Sequence, residues 1–227
     1  MSIVEKLYQK AQKNTKSGQK EGMPMKELVE KILTALKEGT SLRKLTFGKE
    51  ELVLLKNFQL LTLKPVLYVA NVNESGFENN PHLDLILDYA TQDHSKVVPI
   101  CAEIEAEICE LSNDEKKEFL LEMGQNESGL DRLIKAGYDL LGLHTYFTAG
   151  EKEVKAWTIT VGDSAPVAAG KIHTDFEKGF IRAETISFQD YIDFKGEKGA
   201  KDAGKLRTEG KDYVVKDGDI MHFLHNT

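Results

Sequence analysis

The chain is poor in the features that would tie it to a membrane, a disulfide framework or phosphate chemistry. No window approaches the ~18 consecutive apolar residues that a membrane-spanning helix needs. The opening MSIVEKLYQKAQKN breaks its apolar pattern with charge and does not read as a secretory signal, so a cytoplasmic location with no membrane partner is expected. Only two cysteines occur, Cys101 and Cys109. Their spacing matches no metal framework, and they read as free, small, buried thiols. Six histidines are scattered without an H-x-x-x-H, and no Ser-His-Asp or Cys-His arrangement is evident, so no metal ligand and no catalytic residue is assigned. A phosphate-binding loop needs G-x-x-x-x-G-K-[ST], in which backbone N–H groups cradle phosphate and the hydroxyl holds magnesium. The Gly-Lys pairs are Gly48–Lys49, Gly170–Lys171, Gly204–Lys205 and Gly210–Lys211, followed by Glu50, Ile172, Leu206 and Asp212. None carries the hydroxyl. The D-x-x-G at Asp139–Gly142 closes an apolar helical pattern rather than following a strand, and reads as coincidence.

What is present is a strong charge asymmetry beneath a net charge of −7. Residues 1–64 hold 13 Lys and Arg against 7 Asp and Glu, residues 65–141 hold 5 against 16, and residues 142–227 hold 12 against 14. Three charge regimes imply three structural parts, of which the basic one suits a polyanion.

In the first part, Ile3, Val4, Leu7, Tyr8 and Ala11 recur at helical spacing, as do Met25, Leu28, Val29, Ile32, Leu33 and Leu36. NTKSGQKEG separates them, which predicts a helical hairpin with Lys10, Lys13, Lys16 and Lys20 near its tip. GKEELVLLKNF predicts a third short helix. In the second part, residues 66–72 predict a buried strand, NNPHLDLILDYATQDH a helix with Pro81 in its first turn, and KVVPICA another buried strand. That order makes a parallel βαβ unit with a right-handed crossover. Ser112 and Glu115 form a capping box, and Ser128 opens a last helix. EVKAWTITVG and GFIRAETISF predict strands in the third part, strand-like alternation recurs in DYVVKDGDIMHFLH, and GAKDAGKLRTEG predicts a short helix or loop. That is a small α+β domain. The expected fold class is therefore α/β plus α+β. Acidic AEIEAEICEL reads as a solvated helical face.

The first predicted strand stops at Asn71-Val72-Asn73-Glu74. Guanine-binding sheets carry N-x-x-D at such a strand tip, where the aspartate accepts from guanine N1–H and its exocyclic amine. Glutamate is one methylene longer and misplaced for that pairing. The alternative is a polar strand end that caps the following helix.

VLYVANVNESGFENNPHLD, VVPICAEIEAEI, GLDRLIKAGYDLLGLHTYFTAGEKEVKAWT, IHTDFEKGFIRAE and EGKDYVVKDGDIMHF together resemble YchF-type ATPases of the Obg-like group, from about residue 3 onward. The resemblance implies a helical hairpin arm at 1–64, the C-terminal part of an Obg-type nucleotide-binding domain with a partial parallel P-loop-type sheet at 65–141, and a β-grasp (TGS) domain at 142–227. It implies a ribosome-associated, ATP-preferring NTPase. Asn71, Val72, Asn73 and Glu74 would read the base, with Val72 acting through its backbone and Cys101 and Ala102 forming a second base-side loop. In that family the phosphate- and magnesium-binding segments precede the arm. This chain begins at the arm, so weak or no ATP binding and no hydrolysis are expected of it alone, magnesium belonging to the complete protein. Ribosomes or ribosomal RNA are the expected partners, met through Lys13, Lys16 and Lys20. Alternatives are a stand-alone ribosome- or RNA-binding module, or half of a split ATPase completed by a separate N-terminal P-loop chain.

Overall fold

The computed structural model describes residues 2–16, 22–150 and 152–226, which fall into two compact units, Met1–Ala136 and Gly137–Thr227.

The first unit opens with α1 (Ser2–Lys16) and α2 (Gly22–Lys37). Their apolar stripes meet: Val4 packs in one cluster with Leu28, Val29, Ile32 and Ala35. Leu42, from a short 3-10 turn, and Leu55, from α3 (Lys49–Lys56), close that cluster. β1 (Leu67–Asn71) then pairs in parallel with β2 (Lys96–Ile100), Asn71 opposite Ile100, through α4 (Pro81–Gln92). Asn80 caps α4 and Pro81 occupies its first turn, so the helix starts where its residues favour it. α5 (Ala102–Glu110), α6 (Asn113–Glu122) and α7 (Gly129–Leu141) follow. The Ser112–Glu115 capping box is formed, and Ser128 Oγ accepts from Asp131 N–H at 3.1 Å at the head of α7.

The two strands are not buried as expected. In β1 only Ala70 is buried and Val69 is 45% exposed, and in β2 only Val98 is buried. The sheet has just two strands, whereas a parallel sheet becomes a core only when strands flank it and helices cover both faces. Helix α4 repeats the pattern, with Leu85, Ile86, Leu87 and Tyr89 exposed and Leu83 and Ala90 buried. Cys101 is buried, but Cys109 is exposed.

The second unit is a five-stranded mixed sheet, β4-β3-β7-β5-β6, formed by β3 (Leu143–Ala149), β4 (Val154–Thr160), β5 (Phe180–Ser187), β6 (Arg207–Glu209) and β7 (Asp219–His225). β3 and β7 are parallel and the other pairs antiparallel. Helices α8 (Ala165–Ile172) and α9 (Thr174–Lys178) pack on it, and α10 (Phe188–Asp193) and α11 (Glu197–Asp202) fill the β5–β6 connection. The fully buried Ala165, Ala168 and Ala169 share a core with Tyr146, Ile159 and Met221. Tyr146 donates its hydroxyl to Ala168 O at 2.8 Å, so the one polar atom it buries is satisfied.

Candidate functional site

Parallel strands place their carboxyl ends on one edge, where loops gather polar groups. Here that edge joins Asn71 to the segment after β2. Val72 N–H donates to Ile100 O at 2.8 Å, carrying the ladder one residue beyond β1. The Asn71 side chain then crosses to the neighbouring loop, its Oδ1 accepting from Ala102 N–H at 3.1 Å. With Oδ1 so engaged, the Asn71 amide nitrogen is the end left to offer hydrogen bonds outward. Val72, its N–H spent, keeps its carbonyl.

The chain next turns tightly. Gly76 N–H donates to Asn73 O at 2.9 Å. A Cβ at Gly76 would stand 2.4 Å from Asn73 Oδ1 and 3.1 Å from Val72 Cβ, so the Asn73 side chain would have to shift to admit one. Asn79 adopts a positive φ of 52°, a conformation asparagine tolerates better than most residues. Asn80 completes the turn, accepting at Oδ1 from His82 N–H and Leu83 N–H at 3.1 and 3.3 Å and donating through Nδ2 to Gly76 O at 3.0 Å. The result is an open cleft of about 470 Å³ whose walls include Asn71, Val72, Asn73, Asn80 and His82.

Asn71, Val72 and Asn73 therefore share one cleft, whereas Glu74 lines a different hollow with Phe77, Met123 and Gln125. Ala102 meets the site through its backbone N–H, and Cys101 is 3% exposed beneath it as the residue before α5. Glu105 of α5 in turn receives Gly129 N–H and Leu130 N–H at 2.7 and 3.1 Å, fixing the loop against the start of α7. Lys13 is exposed on α1. Lys16 ends that helix, its side chain lying outside the described residues, as does the whole of Lys20.

Sequence reasoning missed a buried charge cluster at the other, amino-terminal end of these strands. Asp93, 1% exposed after α4, accepts from Arg43 at 2.7 Å, from Ser95 Oγ at 3.1 Å and from Tyr68 OH at 3.4 Å, with Lys44 Nζ 3.9 Å away. Arg43 also donates through Nε to Lys64 O at 3.1 Å, just before β1. Burial pushes the Asp93 carboxyl up, but Arg43, Ser95 and Lys44 outweigh it and hold the group below its ordinary range. Burial and the Asp93 charge push the Tyr68 hydroxyl up. Only the helical periodicity around residue 90, which marks Asp93 as the end of an amphipathic helix, hinted at this position.

Among the described residues no group of three or more His, Cys, Asp or Glu side chains is placed to hold a metal ion.

Taken together, the chain is a mixed α/β protein with a polar edge at the carboxyl ends of two parallel strands. Residues 143–226 match the family YchF-GTPase_C, described as "Protein of unknown function (DUF933)". Curated relatives include the "Ribosome-binding ATPase YchF" of Escherichia coli O157:H7, 56% identical over 226 residues that cover 100% of this chain and 62% of the relative. The protein of the same name from Bacillus subtilis is 48% identical over 229 residues, covering 100% of this chain and 63% of the relative. The solved Schizosaccharomyces pombe YchF GTPase aligns with a TM-score of 0.85 and 33% identity over 98% of this chain and 61% of its own. A GTP binding protein from Pyrococcus horikoshii OT3 shares the fold at a TM-score of 0.52 and 18% identity, over 79% of this chain and 51% of its own. The chain is homologous over its whole length to the YchF ribosome-binding ATPases, and it spans about 62% of the length of the curated relatives it matches.

Proposed function

We propose that this chain is the base-reading and partner-binding portion of a ribosome-associated, ATP-preferring P-loop NTPase, and that alone it does not hydrolyse nucleotide. The observation that carries the reading is the Asn71 Oδ1 bond to Ala102 N–H, which orients the amide so that its NH₂ faces a ligand. Both purines offer N7 as an acceptor to that amide. They differ at position 6, where adenine carries an amine donor and guanine a carbonyl. The Val72 carbonyl suits the amine and repels the carbonyl, so adenine preference follows from the backbone, with Glu74 contributing from the other side of its turn. Cys101 and Ala102 serve as the second base-side loop. ATP binds weakly here because the sequence carries no P-loop to grip its phosphates. Phosphoryl transfer depends on positioning and charge stabilisation at the phosphates and magnesium, and the complete protein supplies both from elsewhere.

The partner on this reading is the ribosome or ribosomal RNA, met through the helical hairpin arm at residues 1–64 and its Lys13, Lys16 and Lys20. Residues 65–141 are the partial nucleotide-binding domain, and 142–227 a TGS domain of β-grasp type, in keeping with the five-stranded mixed sheet.

Calorimetry with ADP, ATP and GDP tests the base site. Adenosine nucleotides are expected to bind weakly and at least as well as GDP, and Asn71→Ala to abolish the heat. Clear guanine preference, or submicromolar binding of either base, would overturn the reading. The exposed Val69 on β1 and Leu85, Leu87 and Tyr89 on α4 suit a sheet edge completed by further strands; whether those belong to the same polypeptide or to a separate P-loop chain is the alternative that an upstream P-loop reading frame decides.

A further inference from the structure

The first N–H groups of a helix have no partner within it and must find one outside. At the polar edge two helices find theirs on other elements. Cys101, the residue before α5, makes no side-chain cap bond. The partner comes from β1 instead, where Asn71 Oδ1 accepts from Ala102 N–H at 3.1 Å. At the head of α7, Ser128 Oγ accepts from Asp131 N–H alone. Gly129 N–H and Leu130 N–H donate to the two oxygens of Glu105, one turn into α5, at 2.7 and 3.1 Å. Asn71 therefore caps α5, and α5 caps α7, with the two caps in series. A second tie runs beside them. Arg132, in the first turn of α7, donates to Gln125 Oε1 and Glu127 O at 3.0 and 3.2 Å and to Pro99 O of β2 at 3.5 Å. Gln125 borders the hollow that Glu74 lines. The approach is close: a Cβ on the buried Gly129 would stand 3.1 Å from Ile100 Cγ2 at the end of β2.

We infer that Glu105 and Arg132 are positioning residues for the edge at Asn71, and that this edge is coupled to the first turn of α7, so that a ligand held at Asn71 and a displacement of α7 each govern the other. Asn71 has a single oxygen, and Ala102 N–H holds it. An acceptor on the opposite end of that amide fixes its plane and so steadies the cap on α5. Glu105 N–H donates to Cys101 O at 3.0 Å, so one hydrogen-bonded turn separates the cap that α5 receives from the cap it gives. Such coupling is reciprocal: what steadies one site steadies the other by the same factor. α7 spans the division of the chain at Ala136 and Gly137, so it is the segment through which load on the second unit reaches this edge. The inference takes its ligand from the base-site reading and adds the regulation of that site.

Amide solvent exchange of the ¹⁵N-labelled full chain, read by NMR, tests it first without ligand. Asn71→Ala should quicken exchange at Ala102 and also, by about fivefold, the low end for coupled sites, at Gly129 and Leu130. The Tyr146 amide in the second unit should keep its rate, which separates coupling from loss of the fold. Quickening confined to Ala102 overturns the inference. With ADP added to saturation, exchange at Gly129 and Leu130 should slow in the wild type. Glu105→Ala and Arg132→Met should each weaken ADP by about fivefold, and Glu105→Gln, which keeps one acceptor oxygen, should fall between wild type and Glu105→Ala. Unchanged ADP affinity in both Glu105→Ala and Arg132→Met, or saturation that leaves Gly129 and Leu130 unslowed, also overturns the inference. If the wild type binds no ADP, it is the base-site reading that falls, and the ligand-free exchange decides the coupling.

Discussion

Asp93 accepts from residues far apart in sequence, Arg43 before β1, Tyr68 on β1 and Ser95 ahead of β2, and Arg43 in turn donates to Lys64 O. Removing the charge while Arg43 stays leaves a largely buried guanidinium unpaired. Asp93→Asn is therefore expected to lower stability at neutral pH by about 3 kcal/mol, the low end for a broken buried pair because Arg43 keeps some exposure. Chemical denaturation measures this. The pH dependence has a fixed sign. The folded carboxyl sits below its ordinary value of 3.8, so its contribution is complete above that value and is lost as pH falls through the lower, folded one. The gap between wild type and Asp93→Asn should close only in acid below about pH 3.8; a gap that closes near neutrality would show that another group governs it. The strand end at Asn71 was legible from sequence because a polar cluster ended an apolar run. Asp93 was not, because its partner Arg43 lies fifty residues away and nothing local marks a carboxylate as buried. The placing of Glu74 in a hollow adjoining the Asn71 cleft, with Ser75 and Glu78 lining both, was equally hidden.

Elements were read well where the signal is local and poorly where it is not. Asn80-Pro81 and Ser112 with Glu115 announce helix starts through groups one turn apart, and both form. β3 gave no such warning: the apolar run of α7 passes into it with Gly142, at φ 62°, as the only break. The expected burial of β1 and β2 failed because burial depends on neighbouring strands and covering helices rather than on the strand's own composition. The start of α7 offers a clean element-scale test. Glu105 accepts from Gly129 N–H and Leu130 N–H, so its carboxylate works as a cap supplied by another helix. Glu105→Ala should cost about 1 kcal/mol, as loss of a helix N-cap does, and hydrogen exchange should quicken at the first turn of α7 ahead of the rest of the helix. Gly129→Ala should also destabilise, because a Cβ there would stand 2.7 Å from Glu105 Oε1. Equal protection of that turn in wild type and Glu105→Ala would mean the cap contributes nothing.

For the whole molecule, the proposal divides labour by charge. Residues 1–64 carry the excess of Lys and Arg and residues 65–141 the excess of Asp and Glu, so a polyanion should meet the former and be turned away by the latter. On the same proposal the purified chain turns over no ATP above background, and turnover that survives removal of contaminating ATPases yet disappears in Asn71→Ala would refute it. The stronger test is salt. Lysines that neutralise phosphates release counterions, so ribosome or structured-RNA binding through the arm should weaken steeply as salt rises. Lys13 is exposed, and surface substitutions of its kind usually change stability by no more than about 0.5 kcal/mol. Replacing Lys13, Lys16 and Lys20 together with Glu is thus expected to leave the fold intact, reduce co-sedimentation with ribosomes and flatten the dependence of log binding on log salt. A flattened slope separates phosphate contact from general loss of affinity, because an apolar interface damaged elsewhere would weaken with its slope unchanged. If the triple variant sediments like wild type across the whole salt series, these lysines only solvate the helix pair, and residues 142–227 become the place to look for the ribosomal contact.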